Sequence, residues 1–64
     1  MPLPTPAELH ALFTQVNEDC MAGGEKPVPF SDTDYYADQI ANIYEIESEA
    51  TCLELANQLA NFKE

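Results

Sequence analysis

Glu45-Ile46-Glu47-Ser48-Glu49-Ala50-Thr51 is the stretch on which the fold turns. No Gly or Pro interrupts it, so propensity alone permits one helix of about thirty residues through this region. The apolar periodicity argues otherwise. At about 100° per residue, the stripe of residues 35 to 46, marked by Tyr36, Ile40, Ile43, Tyr44 and Ile46, centres about 30° from Tyr36. The stripe of Cys52, Leu53, Leu55, Ala56, Leu59, Ala60 and Phe62 centres at about 170° in the same frame. The apolar face has turned by about 140°, and Glu47 would fall in the middle of the earlier stripe. A break near residues 46–48 resolves both conflicts, with Ser48 as the next cap and Glu49 in the first turn. The alternative is an unbroken helix that shows its halves to different partners.

Upstream, Thr5-Pro6-Ala7-Glu8 reads as a helix start: Thr5 caps, Pro6 suits the first helical position, and Glu8 completes a capping box. Leu9, Leu12, Phe13, Val16 and Cys20 follow at spacings of three and four, which is one face of an amphipathic helix. Gly23-Gly24 supplies the left-handed residue that a helix end often needs. Lys26-Pro27-Val28-Pro29 is a stiff, extended connector, because proline fixes its own φ and biases its predecessor away from helix. Ser31-Asp32-Thr33-Asp34 then offers a second cap with acids in the first turn, and Phe30 with Tyr35 is placed to form a hydrophobic staple. The expected fold is a single all-α domain of three helices near 6–22, 32–46 and 49–63. A helical hairpin with a long broken second arm is the related arrangement.

The whole chain has 64 residues, of which 45% are hydrophobic, so it has material for one small core. Twelve acids against two lysines and no arginine give a formal charge of -10. Binding to DNA or RNA draws on cations that neutralise phosphates, and Lys26 and Lys63 alone do not provide them. Docking on an anionic membrane surface is excluded on the same ground. No apolar run reaches the length of a membrane span or an export signal, and Cys20 and Cys52 do not make a disulfide framework. Both read as small buried hydrophobes of a protein expected in the cytoplasm.

Residues 39 to 51 resemble the helix–turn–helix pattern of small repressors, with Ala41 at the close helix contact. The resemblance implies a similar packing of the second and third helices. It departs from the pattern in lacking the turn glycine and in carrying Glu49 and Glu54 where base- and phosphate-contacting side chains belong, so it implies no DNA binding.

Catalytic chemistry finds little footing. His10 is the only histidine, and Cys20 lies about two and a half turns along the same helix, too far for contact. A Cys52–His10 pair would place its thiol in acidic surroundings that blunt its reactivity. One His and two distant Cys do not make a zinc site, and Asp32, Asp34 and Asp38 lack the glycine and closing glutamate of a calcium loop. No cofactor and no enzyme activity is expected.

Two kinds of protein-binding function remain. The third helix has an apolar arc of roughly half its circumference, more than two short neighbours need to cover. That excess points to an adaptor or regulator docking through Leu55, Leu59, Phe62, Tyr36 and Tyr44, or to a homo-oligomeric bundle, with a dimer expected. Alternatively, Asp32, Asp34, Asp38, Glu45, Glu47 and Glu49 form an acidic run that would imitate nucleic-acid charge and block a basic protein. Small phage-encoded or mobile-element antagonists have this length and charge, an analogy of composition.

Overall fold

A computed structural model describes residues 3–62. Its three helices, α1 (Pro6–Ala22), α2 (Thr33–Tyr44) and α3 (Glu49–Ala60), make a small all-α domain, with no strand among the described residues. The third helix stops at Ala60 with Asn61 as its cap, short of the expected residue 63, which itself lies outside the described residues.

The ends of α1 are set by local chemistry. The Glu8 amide donates to Thr5 Oγ1 at 3.2 Å, and the Thr5 amide donates to Glu8 Oε1 at 3.2 Å, closing the capping box. At the other end Gly24 takes φ +88, the Glu25 amide donates to the Cys20 carbonyl at 2.9 Å, and the Gly24 amide to that of Met21 at 3.0 Å. This pair of bonds is a Schellman closure, which needs a left-handed residue at that point. The cap of α2 is Asp32 rather than Ser31, its side chain accepting from the Tyr35 amide at 3.3 Å. The staple shifts with it. Phe30 packs on Tyr36, ring centroids 5.3 Å apart, while Tyr35 stays exposed.

The break falls where the periodicity places it. Glu45 adopts φ 54 and ψ 44, and the Ile46 amide reaches back to the Ala41 carbonyl at 3.2 Å. Ser48 caps α3, accepting from the Thr51 amide at 3.3 Å. The chain thus turns between two helices that pack directly on each other, while α1 packs on α3 from another side. Between α1 and α2 the connector is tied down: the Val28 amide donates to Asn17 Oδ1 at 3.4 Å, and Asn17 Nδ2 donates to the Val28 carbonyl at 3.4 Å.

The core contains Leu9 and Phe13 from α1, Tyr36, Ala37 and Ile40 from α2, and Cys52, Leu55, Ala56 and Leu59 from α3. This placement corrects the expected docking face. Leu59 is 1% exposed, Leu55 5% and Tyr36 1%, so the folded chain offers none of them as an anchor. Tyr44 and Phe62 are half-buried. The wide arc of α3 is covered by α1 on one flank and α2 on another. Two stripe residues move the other way: Val16 is 36% exposed and Ile43 48%. On α2 the packed face runs through Ala37, Ile40, Ala41 and Tyr44, and Ile43 falls at its edge. On α1 the exposure follows length: 17 residues outrun the 12 of α3, and the overhang meets the connector.

Candidate functional site

Of the twelve acidic residues, all but Glu64 lie among the described residues, and each of those is exposed. The fold sorts the acids of the α2–α3 region into two groups. Asp32 is engaged as the α2 cap, and Glu45 sits in the left-handed turn; neither lines a common recess. Asp34, Asp38, Glu47 and Glu49 do. They rim a groove of about 400 Å³ between α2 and α3, floored by Ala37, Ala41, Ile46, Cys52 and Leu53.

Each part of the groove follows from local structure. Asp34 and Asp38 are four residues apart on α2, so they project from one face about a turn apart. Asp34 in the first turn of α2 and Glu49 in that of α3 sit at positive helix ends, which favour carboxylates. The Ile46–Ala41 bond folds the connection back over α2, and the Cys52 thiol lies 3.9 Å from the Ile46 carbonyl, in reach of a weak hydrogen bond. Glu47, in that connection, is thereby carried to the same rim as Asp34 and Asp38. The floor is apolar and only partly covered: Ala41, Ile46 and Leu53 are half-buried, Ala37 and Cys52 buried. No Lys or Arg among the described residues lines the groove. Among the described residues, no three His, Cys, Asp or Glu side chains converge as a metal site would require. The carboxylates are spread along the rim, an arrangement for several separated positive charges.

The floor was the less visible part from sequence. Ile46 and Leu53 belong to the two stripes whose mismatch places the break. Where a phase jump bends the chain back on itself, residues at the edges of both stripes meet beside the turn. That jump is the available signal for the groove.

The other chemically capable groups are packed into structural roles. His10 lies between Phe30 and Phe62, ring centroids 5.1 Å from each. Cys52 is 1% exposed. Desolvation pushes the Cys20 thiol above its ordinary value, with a hydrogen bond and negative charge from Glu25 and the charge of Asp19 acting in the same direction. A thiol held protonated is a poor nucleophile.

No protein-family model, curated protein or solved structure matches this chain. Among the described residues no helix is long and apolar enough to cross a membrane.

Proposed function

We propose that this chain is a non-enzymatic regulator that binds a basic protein, occupying the cationic surface with which such a protein engages nucleic acid. The observation that carries the reading is the division of labour in α2 and α3. The larger part of their apolar stripes is spent in the core, and the charge they leave to solvent is all carboxylate among the described residues, with Asp34, Asp38, Glu47 and Glu49 around one groove. Acidic side chains facing a basic surface speed encounter and suppress wrong partners, and both effects are screened by salt. The competing docking route, through Leu55 and Leu59, would require the core to open.

The test is association with a panel of purified DNA-binding domains of positive net charge, measured at low and high salt and in the presence of duplex DNA. Binding should weaken by at least about tenfold between 0.05 and 0.3 M salt, and duplex should displace the chain. A complex that ignores salt, or that holds duplex and this chain together, would refute the reading.

A further inference from the structure

The α2–α3 groove carries an inference that rests on this reading and makes it specific. We infer that the groove receives a basic amphipathic helix from the partner, one apolar side chain on the Ala41–Ile46–Leu53 floor and lysines or arginines about a turn to either side over the four carboxylates. Imitation of a phosphate backbone needs only charge at the right spacing. This site has charge around an apolar floor that is only half-buried at Ala41, Ile46 and Leu53, and the floor has no use in that imitation.

Three properties select the occupant. The charged residues of the rim are all acidic among the described residues, which disfavours nucleotides, phospholipid headgroups and acidic peptides, since each would add like charge there. The four carboxylates do not converge, so a single metal ion meets too few of them. The volume, about 400 Å³, admits an anchoring side chain with its flanks rather than a folded domain. A helix bearing an apolar residue with basic residues three or four positions away satisfies all three, because that spacing repeats the one-turn separation of Asp34 and Asp38. The methylene stems of the basic residues would cover the edge of the floor while their heads reach the rim.

Fluorescence anisotropy of two labelled peptides against the full chain tests this. One peptide carries Lys and Leu at amphipathic helical spacing; the other has the same lysines with serine in place of leucine. The Lys/Leu peptide should bind at least about tenfold more tightly, and the double variant Asp34→Asn/Asp38→Asn should weaken it by about tenfold. The double variant Glu18→Gln/Asp19→Asn removes the same two charges from α1, away from the groove. It should cost less than about threefold. Circular dichroism on each variant checks that the helices persist. Equal losses in the two double variants, or equal affinity of the two peptides, overturn the groove as the docking site and leave a diffuse basic-partner reading standing. Failure of both peptides to bind at low salt overturns the two together.

Discussion

Tyr36 ties together three parts of the molecule. Its ring, 1% exposed, meets Phe13 edge-on at 4.9 Å and Phe30 at 5.3 Å. Its hydroxyl donates to the Val28 carbonyl at 2.6 Å and accepts from Asn17 Nδ2 at 3.1 Å. α1, the connector and α2 therefore share one side chain. Desolvation holds the phenol above its ordinary value of 10.0; the Asn17 hydrogen bond pulls the other way, and Tyr35 and Asp32 add to the rise. A folded-state value above the unfolded one means that the fold favours the neutral phenol. The resulting stability is complete below about pH 10 and declines as pH rises through the folded value. Tyr36→Phe should cost about 1–2 kcal/mol at neutral pH, since the hydroxyl's bonds are lost while the ring stays. It should also lose less stability than the parent on going from about pH 8 to pH 11, because the desolvated phenol is gone. Thermal melts of both proteins across that range decide it; parallel alkaline losses would count against the assignment.

Among the elements, the turn from α2 to α3 is where local preference and global fold disagree. Glu45 holds φ 54, a conformation that costs a residue with a Cβ about 1 kcal/mol and costs glycine almost nothing. Glu45→Gly should therefore stabilise the chain by about 1 kcal/mol, which for a domain this small is roughly 4–8 °C in melting temperature. Unchanged or lowered melting would mean that the Glu45 side chain has a stabilising role that offsets the strain. The same turn explains what could be read ahead. Capping residues announce themselves chemically, so the start at Thr5 and the end at Gly23-Gly24 were legible. A left-handed glutamate carries no such flag, and only the turned phase of the stripes on either side of it marked the break. The width of the α3 stripe was misleading for a different reason. A stripe records how much surface is apolar, not how many neighbours arrive to cover it, so Leu55 and Leu59 looked surplus until α1 and α2 took opposite flanks. The acidic half of the candidate site was legible residue by residue; that four of its six members share one groove depended on the turn.

For the molecule as a whole, packing and charge pull in opposite directions. The chain exposes 4429 Å², close to the roughly 4,100 Å² expected of a compact monomer of its mass. Its charge of -10 sits within extents of 33 × 24 × 20 Å. At about 0.01 M salt the screening length is about 30 Å, and every carboxylate feels every other; at about 0.15 M it is about 8 Å, and only near neighbours do. Self-repulsion opposes the compact state, so added salt should stabilise the fold. Melting temperature should rise by several degrees between about 0.01 and 0.5 M sodium chloride, on the scale of roughly 4–8 °C per kcal/mol. Asp38→Asn/Glu47→Gln, which leaves the carboxylates at the helix starts in place, should melt above the parent at low salt, with the difference shrinking as salt rises. Association with a basic partner has the reverse sign, because there the same carboxylates face opposite charge. The two salt dependences together test whether these acids act as a field. A fold indifferent to salt, beside a complex that salt dissolves, would place the responsible charges in the groove alone.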